Sequence, residues 1–243
     1  MKHHPRFVVL NGALFAATVG VLLSVCAHAE AALVGYQSQA AFNTAISGWT
    51  QTSTNFESAS AGTTYAAGTG PAGSGFTLML SGPDAASQLP AVSDQFWTTS
   101  GTHYLGLDNP DTALEAGDSL TFTFGSPGQA FGLFIIGNRD ILGGDISLSV
   151  GSSSVLNAAT ADMTDGFGSF AYFLGLVSDD AGTFNSATLA YSTLQPPSLL
   201  PISVDDVVFA LNNGASPIPE PDTAALTLIG LMLLSVGLRP RSR

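Results

Sequence analysis

The chain has 243 residues, 18 acidic and 6 basic side chains, a formal net charge of −12 at pH 7, and one cysteine. Five of the bases sit at the two ends, so residues 30–216 keep one base, Arg139, no lysine, and sixteen acids. So acidic a stretch repels phosphate backbones and anionic membranes, which excludes nucleic-acid binding, and it attracts divalent cations.

The chain opens with Lys2 and Arg6, then an apolar run from Phe7 to Val25, then Ala27-His28-Ala29. This order predicts a signal peptide at residues 1–29, cleaved by signal peptidase before Glu30 on the small-x-small pattern of Ala27 and Ala29. A longer, uncleaved anchor is the alternative. Val25 ahead of Cys26 disfavours lipoprotein processing. With the leader removed, the only histidine left is His103 and no cysteine remains. Disulfides, thiolate nucleophiles, Schiff-base lysines, P-loop lysines and multi-histidine metal sites are therefore excluded.

Ser38 can cap a helix through about Ile46 that buries Phe42, Ala45 and Ile46. An "NFE" strand carrying Glu57 follows, and then a Gly/Ala/Thr-rich loop from Ala59 to Gly75. Gly68 to Gly73 formally matches GxGxxG, but Pro71 removes one backbone N–H and no helix pattern follows, so it reads as a loop. Phe76–Leu80 and Tyr104–Leu107 are short strand candidates. Ser119–Phe124 alternates strictly, with Leu120, Phe122 and Phe124 on one face, and Asp145–Val150 does the same. Phe131–Ile136 is near-continuously apolar, as a central strand would be. Phe167–Val177, Phe184–Tyr191 and Ile202–Phe209 add further strands. Many short strands, one short helix and no βαβ rhythm predict a mainly β domain over residues 30–213. The architecture expected is an antiparallel β-sandwich of jelly-roll type with one short N-terminal helix.

Residues 214–223 form a linker containing Pro219-Glu220-Pro221. Ala224–Leu238 is then free of charge for fifteen residues, short of the roughly 20 that cross a bilayer comfortably. Asp222 and Thr223 can cap it as a helix, and Arg239 can snorkel. Arg239, Arg241 and Arg243 would hold the end on the cytoplasmic side. Residues 224–243 are therefore expected to form a transmembrane helix with a basic tail, which a plain tail anchor would also satisfy. The triplet, apolar helix and arginine-rich end, residues 217–243 together, resemble the PEP-CTERM sorting signal. The resemblance implies a surface protein exported from a Gram-negative bacterium that makes extracellular polysaccharide. It also implies handling by exosortase near Pro219–Pro221, with transient inner-membrane anchoring before release to the surface or medium. The domain's "AAF", "NFE" and "ISVDDVVF" stretches loosely resemble other cargo of this family.

Chemistry-bearing residues are sparse. Glu57 and the adjacent Asp205 and Asp206 could share a structural calcium ion, as an early acid and a last-strand aspartate do in jelly-roll carbohydrate-binding modules. Side-chain alternation would turn Asp205 and Asp206 to opposite faces, and the alternative is a solvated strand end. Trp97 and Tyr104 could form a glycan platform, or they could belong to the core. Asp108 to Asp118 and Asn138 to Asp145 suit ordinary turns better than cation loops. His103, Asp108 and a serine could make a triad, but no nucleophile elbow is present. The expectation is a non-enzymatic surface or matrix protein associated with exopolysaccharide, without a required cofactor. The alternatives are a calcium-stabilised carbohydrate-binding module, or a glycan hydrolase or lyase.

Overall fold

The computed structural model describes residues 33–108, 114, 117–138, 141–179, 182–191 and 202–212. The signal peptide (1–29, with Ala27 and Ala29), the linker with Pro219, Glu220 and Pro221, and the C-terminal helix with Arg239, Arg241 and Arg243 lie outside them. So do Asp111, Glu115 and Asp140. Among the described residues no helix is long and apolar enough to cross a membrane.

The elements in chain order are β1 (Leu33–Tyr36), α1 (Gln39–Ala45), β2 (Thr50–Thr54), β3 (Phe76–Ser81), β4 (Pro90–Ser93), β5 (Tyr104–Leu107) and β6 (Ser119–Gly128). They continue as β7 (Ala130–Asn138), β8 (Ile146–Val150), β9 (Ser153–Leu156), β10 (Met163–Thr164), β11 (Ser169–Ser178), β12 (Phe184–Tyr191) and β13 (Ser203–Leu211). All pairings are antiparallel. The first sheet runs β1-β11-β7-β13-β5-β4, with β10 on the outer edge of β11 and β2 alongside β13. The second runs β3-β6-β12-β8-β9.

The alternation in β6 works as expected. Leu120, Phe122 and Phe124 are buried in one cluster with Phe131, Leu133 and Ile135 of β7 and Leu174 and Leu176 of β11. The remaining β7 residues, Phe134 and Ile136, join Phe173 and Val177 of β11 in a second cluster with Phe42 and Ile46 from α1. The first sheet is thus covered on both faces. That explains why β7 and β11 read as continuous apolar runs, while β6, with one buried face, alternates.

Helix α1 docks through one ring. Gly132 and Gly175 are register partners on β7 and β11. A Cβ on Gly132 would meet Phe173 at 2.7 Å and Phe42 at 3.0 Å, and one on Gly175 would meet Phe42 at 2.5 Å. The paired glycines form a notch that receives Phe42, whose ring lies 5.1 Å from that of Phe173. Ser38 occupies the N-cap position, but its side chain makes no capping bond. Asp162 instead accepts from the Gln39 N–H at 3.4 Å and from the Phe173 N–H. One carboxylate, 123 residues along the chain from Gln39, thus ties the helix start to the outer edge of β11. A free amide of the helix's first turn finds its acceptor in tertiary structure rather than in sequence.

Two local expectations are corrected. Asn55–Glu57 is a turn rather than a strand, with Phe56 fully buried at φ 63°. The Ala59–Gly75 segment is held by backbone bonds, Gly62 N–H to Val92 and Leu78 N–H to Thr69 among them. The GxGxxG match within it leads into a strand, β3.

Candidate functional site

The three acids singled out in the sequence converge on one loop, residues 98–103, between β4 and β5. Glu57 grips its C-terminal half. The carboxylate accepts from the Thr102 and His103 N–H groups and from the Thr102 hydroxyl, and His103 Nδ1 lies 3.5 Å from it. These bonds hold the Glu57 carboxyl below its ordinary range, the Thr102 and His103 amides contributing most.

Asp205 and Asp206 grip the N-terminal half. Oδ2 of Asp205 accepts from Thr99 N–H at 2.9 Å, Thr99 Oγ1 at 2.8 Å and Ser100 N–H at 3.2 Å, and its Oδ1 accepts from Asp206 N–H at 2.8 Å. Asp206 takes the Ser100 hydroxyl at 2.6 Å and lies 2.8 Å from Thr99 Oγ1. Strict alternation would part these neighbours. A β-bulge between Asp205 and Val208 breaks the pairing with β7, and Asp206 takes φ 46°. Both carboxylates consequently reach the same loop.

Asp205 is 0% exposed. Burial pushes its carboxyl up to about 6, against the hydrogen bond from Thr99, with the charge of Asp206 adding to the rise. The geometry agrees. The Thr99 hydroxyl has one proton and stands 2.8 Å from an oxygen of each carboxyl. The two carboxyls compete for that one proton, which adds to the cost of charging both.

This arrangement revises the calcium expectation at Glu57, Asp205 and Asp206. Calcium needs six to eight free oxygens. The Asp205 oxygens are taken by the chain's own donors, and the Glu57 oxygens face the loop's N–H and O–H groups. Among the described residues no three His, Cys, Asp or Glu side chains stand together as a metal site would require. The acids act as anchors of loop 98–103. Replacing Glu57 with alanine should speed hydrogen exchange at the Thr102 and His103 amides, read residue by residue by NMR. Unchanged protection would show that the loop is held by other contacts.

The aromatic platform is corrected as well. Tyr104 is buried, with burial raising its phenol. Trp97 is half-buried and packs against the helix-side cluster. The exposed ring here is Phe96, 6.3 Å from Tyr104. A His103–Asp108 dyad is not formed: His103 faces Glu57, and Asp108 accepts the Leu89 N–H at 3.0 Å. The turn reading holds at Gly144 and Asp145. Gly144 has φ 91°, and Asp145 accepts the Leu142 N–H at 2.8 Å.

A second feature was not singled out from the sequence. The β10–β11 hairpin turns through Asp165–Gly168 and leaves Phe167 96% exposed. Its backbone is tightly organised. Asp165 Oδ1 accepts from the N–H groups of Phe167, Gly168 and Ser169 at 2.7, 3.0 and 3.0 Å, and Thr164 Oγ1 accepts from Gly166 N–H and donates to Ser169 O. Bonding to Ser169, Phe167 and Gly168 holds the Asp165 carboxyl below its ordinary range. At the hairpin's base lies a groove of about 500 Å³, lined by Leu142, Thr160, Asp162, Met163, Thr164 and Phe170 among others. The sequence signal was the D-G-F-G turn, whose two glycines take φ 77° and 118°. Phe167 was instead expected to open a strand.

The domain is thus a mainly β unit of two facing antiparallel sheets. No protein-family model matches the chain, and no curated protein matches it. Among solved structures, the K2 cleaved adhesin domain of Lys-gingipain aligns over 66% of this chain and 99% of its own, at 12% identity and a TM-score of 0.40. The catalytic domain of a GH87 α-1,3-glucanase, solved with tetrasaccharides, aligns over 61% of this chain and 30% of its own, at 19% identity and a TM-score of 0.30. Likenesses this loose bear on neither function nor ligand.

Proposed function

We propose that this chain is an exported bacterial surface or matrix protein, carried by a PEP-CTERM-type signal, whose jelly-roll-like domain serves non-enzymatically beside extracellular polysaccharide. The observation that carries this is the order Pro219-Glu220-Pro221, the uncharged run Ala224–Leu238, then Arg239, Arg241 and Arg243. A proline–x–proline segment holds extended backbone ahead of the helix, as a protease substrate must. The leader at 1–29 and the positive-inside placement of the tail agree on the side of the membrane where the domain ends up. Signal peptidase and exosortase are the partners this route requires.

The non-enzymatic part of the proposal is supported by how the acids are used. Glu57, Asp205 and Asp206 are committed to holding a loop, so they do not form an open carboxylate pair of the kind glycoside hydrolysis uses.

The test is intact-mass analysis of the protein from its native host, fraction by fraction. The expected result is a mass that begins at Glu30, ends near Pro219–Pro221, and is found in the outer or released fraction. A mass running through Arg243 in the inner membrane would make the closing stretch a plain anchor.

A further inference from the structure

The first sheet has two unlike ends. Val177 and Ala210 both pair with Ala130, and Leu33 pairs with Ser178. The chain therefore enters and leaves the domain at the Ala130 end of β7. Ser169 pairs with Asn138 at the other end, and the Asp165–Gly168 turn lies beyond it. Eight residue steps of β7 separate the two, about 26 Å at ~3.3 Å per step. Whatever the termini are attached to, Phe167 is presented at the opposite end.

Its exposure is a built feature. A phenylalanine with 96% of its surface in water sits on a turn closed by three N–H bonds to one carboxylate. Leu142 (55% exposed) and Met163 (39%) extend the apolar surface into the groove. Thr160 supplies an exposed hydroxyl there, and Asp162 and Thr164 supply the acceptor capacity left over from their bonds to Gln39, Gly166 and Ser169. An exposed ring at the hairpin tip, with hydroxyl and carboxylate groups in the groove at its base, matches an extended ligand with apolar C–H faces and many hydroxyls.

Charge selects among such ligands. The hairpin and groove carry Asp162 and Asp165, and residues 30–216 hold sixteen acids against Arg139. An anionic bilayer, a uronate-rich polymer and a second copy of this chain are all repelled at this surface. A neutral glycan is not.

We propose that the tip of the β10–β11 hairpin and the groove at its base bind a neutral polysaccharide, with the Phe167 ring against a sugar face and Asp162, Thr160 and Thr164 against its hydroxyls. This rests on the polysaccharide association proposed above and gives it a location.

Affinity electrophoresis tests it, using native gels cast with dextran, laminarin or soluble starch. The mature chain should be retarded by at least one of them. Phe167→Ala should weaken the retardation roughly five- to tenfold, the scale of one lost aromatic contact, and Phe167→Trp should restore it. Because Phe167 is solvent-exposed, neither variant disturbs the core. Thr160→Trp, which fills the groove from an exposed position, should weaken retardation too. Retardation unchanged in Phe167→Ala and Thr160→Trp would overturn the site and leave polysaccharide association standing. No retardation of the wild-type chain by any of the three glucans would overturn both, leaving the sorting route to the mass measurement. A Phe167-dependent dimer in sedimentation, without glucan retardation, would overturn the site in favour of self-association.

Discussion

Replacing Asp205 with alanine should lower the stability of the domain by about 3 kcal/mol, the scale for removing a buried carboxylate that several half-buried donors share. Thr99 N–H, Ser100 N–H and Asp206 N–H all lose their acceptor. The midpoint of urea unfolding, compared at constant slope, measures the loss. The wild-type chain should also show an unusual pH profile. The folded carboxyl of Asp205, at about 6, stands above its ordinary 3.8, so between those values the folded state holds a proton that the unfolded chain releases. Stability from this group therefore rises as pH falls from about 7 toward 4. The gap corresponds to about 3 kcal/mol. Glu57 and Asp165 act in the opposite sense. Their carboxyls are held low, so their contribution is present above the ordinary carboxylate range and is lost as pH falls below it. The two trends together place the stability maximum near pH 5, and in Asp205→Ala the rise from pH 7 to pH 5 should shrink to what Asp162, whose carboxyl burial also raises, contributes. A wild-type profile flat across that interval would show that Asp205 is ionised without penalty.

The second large effect lies on the same face of the first sheet, the one that α1 covers: Asp205 pairs with Phe134, which packs in the cluster of Phe42. Phe42→Ala should cost about 4 kcal/mol, the range for emptying a buried phenylalanine site. Phe42 is completely buried and shares the Gly132–Gly175 notch with Phe173. Gly175→Ala should cost about 2 kcal/mol by overpacking, because its methyl would meet the Phe42 ring at 2.5 Å. The double variant provides the sharper test. With the Phe42 ring gone, the nearest obstacle to the new methyl is removed and the Phe173 ring, 2.9 Å away, gains space to shift, so the combined loss should be smaller than the sum of the two. Additive losses in thermal unfolding would mean that the helix docks through other residues.

The strands legible in the sequence are those whose pattern reflects a single burial environment. β6 shows alternation because one face is wet, and β7 shows a solid apolar run because neither is. The strands β1, β2, β4, β9 and β10 left no such trace. They are two to five residues long, and Thr50–Thr54 is polar throughout, so only its pairing with β13 makes it a strand. The acids of the loop clamp were visible as candidates, but their role was not. Alternation separates Asp205 from Asp206, and the bulge that reunites them depends on a register with β7 that no local pattern encodes. The helix start shows the same limit: Ser38 carried the capping signal, and Asp162 carries the bond. Phe167 was hidden for a different reason. Next to an apolar strand, a phenylalanine reads as part of that strand, and only the turn formed by Gly166 and Gly168 lifts it out.

The position of β13 sets the order in which the domain can be made. β13 is the last of the described strands and lies between β7 and the β5–β4 pair, with β2 along its flank. Until residue 211 has left the ribosome, no strand pairing joins β1, β11 and β7 to β5 and β4, or either group to β2, and the first sheet exists as three fragments. Nascent chains of this design stay open for nearly the whole of their synthesis. On the export route proposed above, in which the chain crosses a membrane extended, that delay would keep the domain threadable, because the strand that completes the first sheet follows all the other described strands.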